Sequence, residues 1–307
     1  MSENTSSEER WTVLRLLTWT SDYLKKYAAP SPRLDAEVLL SHVLGCRRVD
    51  LYTRFDHEPT EAEKRTFRQA IQKRAQGMPV AYLVGKKEFY SLDFYVDQRV
   101  LIPRPETEFV LVGLFDEIKK RLEGTLGSYT LCDVGTGSGI LAITAAVHLK
   151  NARVLALDVS PDALEVARKN AEFHADKVGD RITFRQSDLF SVMPQDRVVA
   201  FDFILSNPPY VGRSEIDAAL EKDVYRYEPH GALFGGETGT ELITRFLPEV
   251  PRYLKSGGLF FMELSPMIHD AVVEIAAGVP ELEYAGTIRD LERRERVLVL
   301  KKTKNAV

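Results

Sequence analysis

The sequence predicts an α/β protein, a mostly parallel sheet with a ligand site on its carboxyl edge, preceded by a small helical domain. Three observations lead there. The apolar run Leu131-Cys132-Asp133-Val134 enters Gly135-Thr136-Gly137-Ser138-Gly139 and then a helical stretch, 140–149. Two further strands, 152–157 and 181–185, are each followed by an acidic residue, Asp158 and Asp188, and a fourth, 201–206, enters Asn207-Pro208-Pro209-Tyr210. The residues before about 77 carry helical periodicity instead.

In chain order, Trp11, Leu14, Leu17 and Leu24 are spaced for one face of a helix, and Ala36, Leu40, Val43 and Leu44 for one face of a second. Pro32 after Ser31 marks the second helix's start and Gly45 its end. Thr60-Glu61-Ala62-Glu63 is a capping box opening a third helix that reaches about Gln76. These apolar stripes fit the core of a small bundle, and none carries a catalytic constellation. Alternation over 88–96 around Ser91-Leu92-Asp93 predicts a hairpin. Pro103 and Pro105 force an extended approach to a helix over 106–122.

The glycines 135, 137 and 139 permit a tight turn and close approach of backbone to a ligand at a helix start. Asp158, about twenty residues beyond the first glycine, suits a ribose hydroxyl. A dinucleotide site shares both features, but the Gly-x-Gly-x-x-Gly form fails at Ile140, so no pyrophosphate need be bound. Asp188 can accept from an adenine amine while Leu189 packs on the ring, or Asp188 can serve as a helix cap. All these loops fall at the edge where open α/β sheets bind ligands.

Asn207-Pro208-Pro209-Tyr210 suggests a grip on a planar NH2 group that is to be methylated. An amide or aromatic amine is a poor nucleophile because its lone pair is delocalised. The Asn207 side-chain oxygen and the Pro208 carbonyl can accept both N–H bonds and aim that lone pair. The prolines stiffen the turn and leave its carbonyls free to face a ligand, and Tyr210 can lie flat against the planar group. Asn-Pro is also a common turn opener after a strand. Beyond it, the polar stretch 212–239 is long enough for a lid. Then follow a helix over 240–254, a strand over 258–264, a helix over 267–277 and two strands, 282–288 and 296–300, expected as antiparallel edge partners.

Several segments together carry a family resemblance: Pro79-Val80-Ala81-Tyr82-Leu83-Val84-Gly85, Phe89-Tyr90, Val100 to Glu108 with its Ile-Pro-Arg-Pro-Glu-Thr-Glu core, the glycine loop, Asn207 to Tyr210, Glu228-Pro229, Gly235-Gly236 and Arg289-Asp290-Leu291. Over nearly its whole length the chain resembles the release-factor glutamine methyltransferases, also called PrmC or HemK. The resemblance implies a seven-stranded class I (Rossmann-like) methyltransferase sheet with a small N-terminal helical domain. It divides the chain into an N-terminal adapter for the substrate (1–84), a hairpin linker (85–105) and a methyltransferase domain (106–307). It further implies methyl transfer from S-adenosylmethionine, leaving S-adenosylhomocysteine, to the glutamine amide nitrogen in the Gly-Gly-Gln motif of class 1 peptide-chain release factors. By the family pattern Gly135, Thr136, Gly137, Ser138, Gly139, Asp158, Asp188, Leu189 and Asn207 contact the cofactor. Asn207, Pro208, Pro209 and Tyr210 hold the glutamine, with Asn207 and Pro208 catalytic. The family often has an aromatic residue where Leu189 stands. A sister family that methylates a glutamine of a large-subunit ribosomal protein typically departs from Pro-Glu-Thr-Glu. Enzymes that methylate exocyclic amines of DNA share only Asn-Pro-Pro-Tyr.

Composition agrees. The 307 residues suffice for one large α/β domain and a smaller one, and 44% hydrophobic with 28% charged residues is ordinary for a globular protein. No apolar stretch approaches the roughly 20 residues that span a bilayer, and 1–10 lacks the pattern of a signal or transit peptide. A cytoplasmic monomer is expected, with no membrane and no stable nucleic-acid partner, since a net charge of −4 opposes phosphate binding. Two cysteines without a Cys-x-x-Cys pair read as reduced thiols, and six scattered histidines predict no metal.

Overall fold

Thr12 opens the first helix, α1 (Val13–Lys25), by accepting from the Arg15 amide in the computed structural model, which describes residues 10–121, 127–194, 199–213 and 226–303. Four helices follow: α2 (Pro32–Val43), α3 (Arg48–Tyr52), α4 (Glu61–Ala75) and α5 (Val80–Val84). At α4 the capping box forms as expected, with Thr60 N–H donating to Glu63 Oε2 at 2.7 Å and Glu63 N–H to Thr60 Oγ1 at 3.3 Å. Leu17, Leu24, Leu40 and Phe67 meet in the core of this unit. The helices α3 and α5, one turn or so each, are too short to leave a periodic signal and were not expected. Arg226 and Tyr227 belong to the same unit and both donate to the Gln76 carbonyl.

The larger unit begins at Lys86 and contains the hairpin β1 (Lys86–Phe89) and β2 (Leu92–Tyr95). Tyr90 and Ser91 both have positive φ, 50° and 59°, as a two-residue turn between right-twisted strands requires. Of the linker that the resemblance implied, 85–105, residues 86–105 fall inside this unit: Phe89, Leu92 and Phe94 sit in its core, each worth about 1.5–3 kcal/mol of burial. Asn170, on α8 (Pro161–Phe173), ties the hairpin to the glycine loop. Its Oδ1 accepts from Tyr95 N–H at 2.7 Å, and its Nδ2 donates to the Tyr95 and Ser138 carbonyls at 3.0 and 2.9 Å.

The sheet is seven-stranded. Its parallel strands are β3 (Tyr129–Val134), β4 (Ala152–Asp158), β5 (Ile182–Gln186), β6 (Phe201–Ser206) and β9 (Leu254–Glu263), and the antiparallel pair β10 (Leu282–Arg289) and β11 (Glu295–Lys302) closes one edge. The order is β10-β11-β9-β6-β3-β4-β5, so β3 and β6 lie centrally and their carboxyl ends adjoin. Helices α6 (Glu108–Arg121), α7 (Ile140–His148) and the short α9 (Ala175–Val178) cover one face through Leu111, Leu114, Ile143 and Val178. The other face buries Phe246, Phe260 and Met262. The helix expected over 240–254 is broken: α10 (Glu241–Phe246) and α11 (Val250–Tyr253) are separated by a 3-10 turn. Pro248 and Pro251 supply no amide for a continuous ladder. Of the polar stretch 212–239, residues 214–225 lie outside those described. Among the described residues no helix is long and apolar enough to cross a membrane.

Candidate active site

The loops that follow β3, β4, β5 and β6 surround a cavity of about 650 Å³. Gly135 and Gly137 have φ of 75° and 55°, and a Cβ built on Gly137 would meet nothing within 4 Å, one on Gly135 only the Asn207 carbonyl at 4.0 Å. These two turn residues therefore present bare backbone to an open cradle. Gly139 does not line the cavity. It caps α7 with φ 86°, and a Cβ there would press on Ile143 at 2.9 Å, so its role is packing. Under the loop, Asp133 Oδ2 accepts from Thr136 Oγ1 at 2.7 Å and Ala142 N–H at 3.1 Å. Burial pushes the Asp133 carboxyl up to about 7.

Asp158 Oδ2 accepts from Gly137 N–H at 2.8 Å and its Oδ1 from Ser160 N–H at 2.9 Å. Burial raises its pKa above the ordinary carboxylate value, against these backbone donors. Each oxygen keeps a lone pair for a hydroxyl arriving from the cavity. Leu189 also faces the cavity, and its φ of 48° is a left-handed strain no sequence pattern announces. Asp188 lies at the rim, gripped by Arg245 through Nη2 at 2.6 Å and Nη1 at 3.1 Å. Sequence reasoning missed Arg245, which lies in a helical segment with no motif.

Asn207, Pro208 and Pro209 line the cavity beside Gly135. Asn207 Nδ2 donates to Thr107 Oγ1 at 3.1 Å, which leaves its Oδ1 as an acceptor. Tyr210, expected flat against a planar ligand, is not in the cavity wall. Its hydroxyl donates instead to Glu263 Oε1 at 2.9 Å, because a buried carboxylate needs a donor and the Tyr210 ring packs into the core behind the turn. The strand β7 (Val211–Gly212) pairs with β8 (Phe234–Gly236) and braces the tetrapeptide. Gly235 is required there: a Cβ would lie 2.6 Å from the Pro209 carbonyl and 2.5 Å from that of Gly239.

Arg104, also in the wall, pairs with Glu228, Nη2 to Oε1 at 2.6 Å, while Glu228 Oε2 accepts from Ile102 N–H at 3.1 Å. The Glu228-Pro229 segment thus anchors the Ile-Pro-Arg-Pro segment. Thr107, Glu228 and Glu263 were not named as site residues. Thr107 and Glu228 stood inside quoted segments, and Glu263 closes the apolar strand Leu259-Phe260-Phe261-Met262, where a terminal carboxylate is itself a signal. Chemically the cavity joins a backbone cradle and a carboxylate to the Asn207 side chain and the Pro208-Pro209 turn. Among the described residues no group of His, Cys, Asp and Glu is arranged to hold a metal.

Comparison with known proteins adds the following. Residues 15–85 match the family described as PrmC N-terminal domain, and residues 127–283 the one described as Methyltransferase domain. A release factor glutamine methyltransferase of Rhodopirellula baltica is 45% identical, covering 97% of this chain and 99% of that protein. One of Chlorobaculum tepidum is 43% identical, covering 84% and 86%. A third, of Koribacter versatilis, is 40% identical, covering 88% and 92%.

Proposed function

The chain belongs to the release factor glutamine methyltransferase family, and from that premise we propose that it transfers a methyl group from S-adenosylmethionine to the side-chain amide nitrogen of the Gly-Gly-Gln glutamine in class 1 release factors. The names of its relatives support the substrate. The cavity supports the donor: bare glycine backbone, Asp158 for ribose hydroxyls and Leu189 for an adenine face fit the adenosine part, with Gly135 a short step from Asn207. When bound, S-adenosylmethionine supplies a methyl group on a positively charged sulfur.

The rest falls to the chain's own residues. Asn207 Oδ1 and the Pro208 carbonyl accept the two N–H bonds of the glutamine amide and hold its nitrogen about 3 Å from the methyl carbon, the near-attack distance. A nitrogen so held would take the methyl group as the donor sulfur leaves with the bonding pair, and would shed one proton to water. No base is needed to begin, because the two acceptors polarise the N–H bonds and stabilise the positive charge that gathers on nitrogen. The observation that carries this reading is the Asn207 to Thr107 hydrogen bond, which occupies Nδ2 and so supports Oδ1 as the acceptor.

The test is mass spectrometry of a purified release factor incubated with the protein and S-adenosylmethionine, beside a release factor whose Gly-Gly-Gln glutamine is replaced. One methyl on that glutamine, absent from the variant, is expected. Methylation of the ribosomal protein or of DNA in preference would replace the reading. Asp158→Ala should weaken binding of S-adenosylmethionine by about ten- to a hundredfold, the worth of hydrogen bonds to a charged group, and should free the Gly137 amide as well. Calorimetric titration checks it, and an unchanged affinity would remove Asp158 from the cofactor site.

A further inference from the structure

Among the described residues three arginines line the cavity, and each is paired with a carboxylate: Arg99 with Asp97 and Glu165, Arg104 with Glu228, and Arg245 with Asp188. In the first two cases the acids stand behind the wall. Only the Arg245 pair sets both partners in it. Both side chains are about half exposed, and an exposed ion pair adds little to stability. What this pair adds is geometry.

Asp188 is fixed from two sides. Its backbone belongs to a turn after β5, in which Asp188 N–H donates to Ser191 Oγ at 3.2 Å, Ser191 N–H donates back to the Asp188 carbonyl at 3.0 Å, and Ser187 N–H donates to the Asp158 carbonyl at 2.8 Å. Its side chain is held from α10 by two guanidinium nitrogens, Nη2 to Oδ1 at 2.6 Å and Nη1 to Oδ2 at 3.1 Å. Helix α10 is itself seated by Ile243 and Phe246, both fully buried. A two-pronged bond sets the plane of the carboxylate, as a single ammonium cannot, and each oxygen keeps a lone pair for another donor.

We propose that Arg245 is a positioning residue for the adenine of the cofactor: its fork holds the Asp188 carboxylate in the plane from which one oxygen accepts the 6-amine. The proposal rests on the reading that the donor is S-adenosylmethionine and that Asp188 accepts from its adenine. Leu189 offers the ring a smaller face than an aromatic side chain would, so recognition leans on the hydrogen bond beside it. Without the fork, a half-exposed aspartate turns freely and has to be ordered each time it takes up the amine, a cost of about two- to tenfold in affinity for one side chain. A freed carboxylate is also a stronger acceptor, which acts in the opposite direction. The sign of the change in Arg245→Met therefore decides.

The experiment is calorimetric titration with S-adenosylhomocysteine and with its analogue bearing hydrogen in place of the adenine 6-amine. The proteins are the wild type, Arg245→Met, Arg245→Lys, Asp188→Ala and the double variant Asp188→Ala with Arg245→Met. The wild type should bind the parent about tenfold or more tighter than the analogue, the worth of a hydrogen bond to a charged group. Arg245→Met and Arg245→Lys should each narrow that ratio by about two- to tenfold through weaker binding of the parent, with the analogue's affinity within about twofold of wild type. Asp188→Ala should abolish the preference, and adding Arg245→Met to it should change neither affinity further. Replacing a side chain that merely braced α10 would weaken both ligands alike, so equal losses overturn the proposal. A ratio that widens in Arg245→Met, or a wild-type ratio kept by Arg245→Lys, overturns it too. A wild type that binds the parent without preferring it removes the adenine from Asp188, which overturns the proposal and leaves the donor reading intact. A wild type that binds neither ligand overturns the donor reading, and with it the role of Arg245.

Discussion

Asn207→Ala is expected to lower the rate of methyl transfer by about a hundredfold or more, while the affinity for S-adenosylmethionine stays within a few fold of wild type. The magnitude follows from losing one preorganised hydrogen-bonding group at a reacting centre, about 2.7 kcal/mol or more of transition-state stabilisation. Three features place the loss in turnover rather than in binding. The Asn207 side chain is held by Thr107, not by the glycine loop. The loop has its own anchors in Asp158 and Asn170. A shorter side chain also leaves the Pro208 carbonyl in place, so a glutamine can still enter with one N–H accepted and its nitrogen free to swing. Asn207→Asp is the sharper variant: it keeps the acceptor towards the cavity but sets a second acceptor against Thr107. Single-turnover rates with a purified release factor, beside calorimetric titration of the cofactor, check both. A rate within a few fold of wild type in Asn207→Ala would remove the residue from the reacting centre.

What could be read from the sequence was what the chain writes contiguously. The glycine loop, Asp158 and Asn207-Pro208-Pro209 each occupy a few consecutive residues at the end of a strand, so order along the chain gives their place on the sheet edge, and the cavity wall includes these residues with the exception of Gly139. The capping box at Thr60 and the antiparallel closing strands were legible for the same local reason. What failed depended on partners distant in sequence. Tyr210 turns inward because of a carboxylate 53 residues away, and Asn207 takes its orientation from a threonine 100 residues away. Arg104 has its partner, Glu228, 124 residues on. No periodicity encodes such pairs, since each is fixed only when the sheet has brought the ends of different strands together. The break between α10 and α11 is different in kind: Pro248 and Pro251 stand inside the stretch read as one helix, and their missing amides should have divided it.

Arg104→Ala should destabilise the larger unit by about 3 kcal/mol, the lower end of the cost of leaving a buried charge unpaired. The Glu228 side chain is fully buried, whereas that of Arg104 is 32% exposed, so water can reach the gap in the variant and soften the penalty. The pair also shapes the site. Glu228 Oε2 takes the Ile102 amide, and Ile102 precedes Pro103 and Arg104 in the cavity wall, so a Glu228 side chain that shifts to find water pulls that wall with it. Weaker cofactor binding should therefore accompany lower stability in Arg104→Ala. Replacing both residues, with Arg104→Met and Glu228→Gln, removes the unpaired charge and should recover part of the loss, a positive coupling of the kind a double-mutant cycle measures. Both tryptophans, Trp11 and Trp19, lie in the helical unit, and their fluorescence reports that unit alone. Unfolding of the larger unit has to be followed by amide hydrogen exchange at its central strands, β3 and β6. Unchanged protection there in Arg104→Ala would mean that Glu228 finds compensation without the guanidinium, and that the pair serves the cavity's shape rather than its stability.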